Sequence, residues 1–267
     1  MSICIAIVVP DGIALAADSQ TTWNQTITQA TQQGTNQVFN LARPINIPIS
    51  WSRMARKLFN LKINNSSYGV CIAGTALLNH KTIYSIFKGL EKTYQGDNSY
   101  ESIVRHLIDG LKAELKKQLN IENLATAQTI LNVEFILCGY IDQDVSKPRI
   151  ESWLVFSGAL KLDDSKQLNT GEFCKWTNIV NGQHTFGGCW IGRAEFISHL
   201  VTHNNPQMPP IQGQYELLSL ADAIDYTKFL VNFTCDYQRF AIMVPDCGKP
   251  IISATLTPDN YEEEIVK

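Results

Sequence analysis

The chain has 267 residues, 45% of them hydrophobic and 18% charged, with a formal net charge of −3. That is ordinary soluble globular composition, and the lack of a composition break or Gly/Ser linker favours one domain over residues 1–267. Mild negative charge gives no support for nucleic-acid or membrane binding, which need a concentrated basic face, and no apolar run reaches the roughly 18 residues of a membrane span.

The amino terminus reads "MSICIAIVVPDGIALAADSQTT". Two runs of β-favouring residues flank Pro10, Asp11 and Gly12, a turn signal, and predict a β-hairpin. Antiparallel register then sets Ser2 opposite a residue between Ser19 and Thr21. Facing residues lie roughly 5 Å apart, so the hairpin alone brings residue 2 near Asp18. The first nine residues carry no basic stretch and are expected to be a strand, not a signal peptide.

A segment rich in Gln, Asn and Thr follows over about 20–50, a polar insertion that is long for a connection and reads as part loop, part ribbon. "RKLFNLKI" and "YGVCIAG" are the next strands. "TALLNHKTIYSIFKGLEKTY" repeats apolar residues at Leu78, Ile83, Ile86, Phe87 and Leu90. "SYESIVRHLIDGLKAELKKQL" does so at Ile103, Leu107, Leu111, Leu115 and Leu119, and both predict helices. "ILNVEFILCGYI" and "IESWLVFS" are strands, with a third near "HTFGG". "CWIGRAEFISHLV" and "LLSLADAIDYTKFLVNF" predict two more helices. "RFAIMVPDCGKPIISATL" predicts two strands around a turn with Gly248, ahead of an acidic tail. The fold class is therefore α+β, a four-layer αββα sandwich with two antiparallel sheets and paired helices outside.

Two patterns could carry metal or redox chemistry. His199 and His203 stand four apart, the spacing of zinc ligands on one helix face, but lack the glutamate of H-E-x-x-H and any third ligand. They read as solvated histidines at a helix end. The seven cysteines are odd in number, scattered and never spaced C-x-x-C, so buried reduced thiols of a cytoplasmic protein are expected, with no metal and no cofactor.

Three motifs carry a family resemblance. "DGIALAADSQTT", "RKLFNL" and "GVCIAGTALL" resemble, in order, the second strand, the lysine-bearing stretch and the strand-to-helix corner of proteasome β-type subunits. These are N-terminal-nucleophile hydrolases. The long polar insertion and the extended carboxyl end resemble the bacterial Anbu-type proteasome homologues. The resemblance implies that Met1 is removed and that the Ser2 hydroxyl is the nucleophile, where the family usually has threonine. It further implies that Asp18 and Lys57 flank Ser2, that Gly74 N–H binds the oxyanion, and that Asp236 supports the terminal amine. Ala55, Ile72, Ala76 and His80 would line the substrate pocket. Gly187 and Arg239 fall where the family usually has serines.

The chemistry is coherent on its own terms. A free α-amine titrates near pH ~8 against ~10.4 for lysine, so it can take the hydroxyl proton at neutral pH. A nearby ammonium lowers both pKa values, and one oxyanion donor is worth roughly 10²–10³ in rate. The resulting expectation is a peptidase acting on peptides or unfolded protein, assembled as a homo-oligomeric ring or ring-like stack; an ATPase partner is unspecified. A non-catalytic scaffold subunit retaining Met1 and an amidase or transpeptidase with the same nucleophile stand as alternatives.

Overall fold

A computed structural model describes residues 2–31, 38–52, 55–118, 132–141, 144, 146–156, 161–162, 168–169, 171–202, 214–241 and 245–266. In chain order its strands are β1 (Ile3–Val9), β2 (Gly12–Asp18), β3 (Thr21–Thr31), β4 (Val38–Ser52), β5 (Leu58–Ile63), β6 (Ser66–Gly74), β7 (Leu77–Leu78) and β8 (Lys81–Thr82). Helices α1 (Ile83–Thr93) and α2 (Tyr100–Gln118) precede β9 (Val133–Tyr140), β10 (Pro148–Val155), β11 (Lys161–Leu162), β12 (Leu168–Asn169) and β13 (Phe173–Thr177). Then come β14 (Ile179–Val180), β15 (Gln183–His184), β16 (Gly187–Gly192), α3 (Glu195–Thr202), α4 (Leu220–Phe240), β17 (Ile251–Leu256) and β18 (Tyr261–Val266).

Two five-stranded antiparallel sheets form the centre, with orders β16-β1-β2-β17-β18 and β13-β10-β9-β6-β5. Strand periodicity sorts the apolar residues into three clusters. Ile3, Ile5, Ile7 and Val9 of β1 join Ala14 and Ala16 of β2 with Ile197 of α3 and Leu230 and Val231 of α4. Cys4, Ala6 and Val8 turn the other way, joining Leu15 and Ala17 to Cys71, Ile136 and Cys138 of the second sheet. Phe59, Val70, Phe135 and Leu137 pack with Ile86 and Phe87 of α1 and Ile103, Leu107, Leu111 and Leu115 of α2. Burial on both faces explains why β1 is apolar at every position, since alternating successive side chains enter different clusters.

Several sequence expectations are corrected here. The first helix starts at Ile83, capped by the Thr82 hydroxyl, which accepts from Ser85 N at 3.1 Å. Leu78 lies in β7, because Asn79 and His80 adopt left-handed φ values of 50° and 59° that reverse the chain into β8. Cys189–Gly192 continues β16 beside β1, so the next helix begins only at Glu195. Arg239 and Phe240 end α4, so they form no strand. The acidic tail is β18, an edge strand that exposes glutamates, a common guard against edge pairing. The polar insertion is a ribbon of β3 and β4, with a register shift between Trp23 and Asn24 beside Pro48. Leu119 and His203 lie outside the described residues.

Close approach of the sheets depends on Gly69 of β6. A Cβ there would lie 2.5 Å from Leu15 Cδ1 of the opposite sheet and 2.7 Å from Cys138 Sγ. Gly69→Ala should destabilise the protein by about 1–3 kcal/mol through overpacking. Gly89 on α1 has nothing within 4 Å of an added Cβ. Gly89→Ala should instead stabilise by about 0.5–1 kcal/mol through helix propensity. Denaturant unfolding of both variants checks the opposite signs.

Candidate active site

The hairpin register is Cys4 on Ala17 and Val9 on Gly12, which carries Ser2 to a place opposite Ser19. Asp18, at the end of β2, is fully buried and Lys57 nearly so. Lys57 Nζ lies 2.9 Å from both Asp18 carboxylate oxygens and also donates to Gln20 O. Backbone donors complete the shell. Ile3 N donates to Asp18 Oδ1 at 2.9 Å, while Gln20 N and Gly248 N donate to Oδ2 at 3.1 and 3.0 Å. Buried charge is tolerated only with such pairing. Ser2 itself is 5% exposed.

Lys57 precedes β5, and Ile72 N donates to its carbonyl at 2.8 Å, so β6 runs beside it. Thr75 N bonds Asn132 O at 2.6 Å on the other edge of β6. Ladder alternation therefore points the Gly74 N–H away from β9 and toward the Lys57 side. Gly74 has φ +86°, and a Cβ there would meet Asn132 O at 2.2 Å, so only glycine fits this corner. Ser2, Asp18, Lys57 and Gly74 thus converge on one end of the two sheets.

A second group meets the backbone of Ser2. Arg193 N donates to Ser2 O at 2.7 Å, just past Gly192, whose φ is +84° and whose added Cβ would lie 1.9 Å from Ser2 O. The Arg193 guanidinium binds Asp246 Oδ2 at 2.9 Å, and Gln238 clasps Asp246 from both sides. Burial is the largest single influence and raises the Asp246 carboxyl, but the Arg193 hydrogen bond and charge, the amino-terminal charge and the Gln238 hydrogen bond together hold the group below its ordinary range. Sequence reasoning missed these residues. A usable signal was Gln238, a polar residue on the buried stripe of α4 that includes Leu230, Val231 and Cys235.

Other assignments fall elsewhere. Asp236 is half-exposed on α4 and pairs with Lys249 at 3.6 Å, so the structure does not bring it to the Asp18–Lys57 pair. Gly187 faces Val8, six residues along β1 from Ser2, which is about 20 Å at strand rise. Arg239 is exposed, its guanidinium 5.5 Å from the Phe240 ring centroid. Among the expected pocket residues, Ala55 joins the site through its N–H to Ser19 O at 2.9 Å, and Ile72 packs into the cluster under α1 and α2. Ala76 and His80 are exposed, His80 on the β7–β8 turn. That turn is anchored to α2, where Glu114 accepts from Asn79 Nδ2 at 2.8 Å and pairs with Lys81 and Lys117.

Six of the seven cysteines are buried, and Cys174 is exposed, against the expectation that all are buried. Burial raises the Cys138 and Cys189 thiols well above their ordinary range and pushes Cys235 up to about 12, so these three are protonated and unreactive at neutral pH. Among the described residues no His/Cys/Asp/Glu group could hold a metal ion, and no helix is long and apolar enough to cross a membrane.

The fold is similar to that of solved Anbu proteins. An Anbu Gly-1 mutant from Hyphomicrobium sp. strain MC1 matches at TM-score 0.51 and 13% identity, covering 100% of this chain and 87% of that one. Anbu, the ancestral β-subunit, from Yersinia bercovieri matches at TM-score 0.51 and 13% identity, covering 99% and 87%. The helical assembly of the Anbu complex from Pseudomonas aeruginosa matches at TM-score 0.52 and 12% identity, covering 99% and 86%. No family model and no curated protein matches the chain.

Two outcomes follow from the charges. Lys57→Ala leaves the buried Asp18 carboxylate without its counter-charge and should cost about 3–5 kcal/mol. Asp18→Asn combined with Lys57→Met should recover much of that in denaturant unfolding. Hydrogen bonds from Asn79 and then Lys117 hold the folded Glu114 carboxyl down to about 2 from an ordinary 4.5. Its contribution is complete above pH ~4.5 and is lost as pH falls through 2. Glu114→Gln should remove about 1 kcal/mol at neutral pH and flatten the acid limb of a stability–pH curve.

Proposed function

We propose that the protein is a proteasome-like peptidase of the Anbu type, with Ser2 as nucleophile once Met1 is removed. The observation that carries this reading is the buried Asp18–Lys57 pair beside the residue-2 end of β1, with Gly74 N–H directed to the same side. The freed α-amine would take the Ser2 hydroxyl proton, and Oγ would attack the peptide carbonyl. Gly74 N–H would receive the negative charge developing on the carbonyl oxygen. The amine would then protonate the departing peptide nitrogen, and water would resolve the acyl-enzyme by the reverse sequence. In this reading Asp18 holds Lys57, and the Lys57 ammonium lowers the pKa of its neighbours. Asp246, acting through Arg193, takes the supporting place first given to Asp236.

The three apolar clusters support a four-layer αββα arrangement within one domain, α1 and α2 on one side and α3 and α4 on the other. Substrate would be an uncharged apolar segment seated over Ala55 and Ile72, with Ala76 and His80 at the rim. Homo-oligomeric assembly, as a ring or stack, is supported by exposed aromatics on the outer face of α4: Phe229, Tyr237 and Phe240 are 46%, 46% and 80% exposed. A second reading rests on Ser2, only 5% exposed. A subunit that kept Met1 would bury its serine and act as scaffold.

Intact-mass measurement should give a protein beginning at Ser2, and Ser2→Ala should lower hydrolysis of an unstructured apolar peptide at least about 10³-fold with unchanged melting. Only Met1-initiated protein would leave the scaffold reading, and a Ser2→Ala variant that still hydrolysed the peptide would remove Ser2 as the nucleophile. Replacing Phe229 and Phe240 by serine should shift light-scattering mass toward the monomer.

A further inference from the structure

Ser2 and Gly74 belong to different sheets, so the distance between nucleophile and oxyanion donor depends on what ties those sheets together at this end. One tie is polar. Glu134 lies on β9 directly across from Ala73, one residue before Gly74. Its Oε2 accepts from Gly192 N at 3.3 Å, and Gly192 belongs to β16, the outermost strand of the Ser2 sheet. Arg193 N is spent on Ser2 O, so ladder alternation turns the Gly192 N–H outward from that edge. Glu134 reaches across from the other sheet to satisfy it. Lys175 of β13, the outermost strand of the Glu134 sheet, approaches the same oxygen at 3.1 Å. The run Lys175–Glu134–Gly192 therefore joins the two sheet edges: Gly192 precedes Arg193, whose N–H holds Ser2 O, and Glu134 faces Ala73, one residue before Gly74.

We propose that Glu134, held by Lys175, is a positioning residue that sets Ser2 against the Gly74 N–H. The catalytic part of this inference rests on the reading of Ser2 as nucleophile; the structural part does not. Glu134 fixes the Gly192–Arg193 turn, and that turn receives the Ser2 carbonyl with no space for a side chain at Gly192. Without the tie, the two sheets keep their apolar cores but lose registration at the reacting end. Misplacement by about 1 Å is worth roughly 10² in rate.

The test uses the full chain with Glu134→Ala, Glu134→Gln and Lys175→Met. Glutamine keeps an acceptor for Gly192 N–H and the side-chain volume, so it separates positioning from simple loss of packing. Expected for Glu134→Ala are a roughly 10–100-fold lower kcat and a KM within about threefold. Gly192 amide exchange should be at least about tenfold faster. Glu134→Gln should restore both to within about threefold, and Lys175→Met should fall between. Unchanged Gly192 exchange in Glu134→Ala, or a glutamine variant as impaired as the alanine one, overturns the proposal. If the wild-type protein proves unable to turn over peptides, the peptidase reading fails and the exchange rates alone decide the role of Glu134. If Glu134→Ala does not fold, slower turnover with faster exchange in Lys175→Met supports the tie, and wild-type values in that variant overturn it.

Discussion

The Asp18 carboxylate is the constraint on which the Ser2 end of the molecule depends. It is fully buried, and its donors come from four separate segments: Ile3 on β1, Gln20 after β2, Lys57 before β5 and Gly248 before β17. A carboxylate in that environment is costly unless every lone-pair direction finds a donor. Folding therefore brings those four segments to one point, three of them at strands of one sheet and Lys57 at a strand of the other. The geometry around Ser2 follows from satisfying one charge.

Around that charge, glycines allow backbones to come closer than side chains would permit. Gly69 lets β6 pass beside Leu15, Gly74 turns beside Asn132, and Gly192 leaves the Ser2 carbonyl free to meet Arg193 N. Each is a place where a methyl group would collide with a neighbouring atom. Two of them, Gly74 and Gly192, also adopt positive φ, so space and conformation make the same demand. Precise placement at this end comes from backbone packed on backbone, with polar side chains closing the gaps.

Similarity to Anbu structures at 12–13% identity reflects the same physics. A sheet buried on both faces needs only runs of apolar residues of suitable size, a demand many sequences meet. Chemistry is far less permissive than fold, because it depends on individual side chains and backbone donors and not on the pattern of burial.

Much of this was legible in the chain. Local rules determined the β1–β2 hairpin, because Pro10 and Asp11 specify a tight turn and antiparallel register then fixes what faces Ser2. The spacing of Ile103, Leu107, Leu111 and Leu115 determined α2, since a 3.6-residue repeat presents a single face. Tertiary structure alone decided which late carboxylate meets Arg193, whose N–H holds the Ser2 carbonyl. Asp236 and Asp246 are ten residues apart and chemically identical, and the end of α4 turns one toward Lys249 and the other toward Arg193. Likewise Gly187 and Gly192 lie on one strand, and only its pairing with β1 shows that Gly192 reaches Ser2. Sequence pattern reports which residues share a face. Which faces meet, and at which end, is set by contacts between distant segments, from Asp18 and Lys57, 39 residues apart, to Asp18 and Gly248, 230 apart.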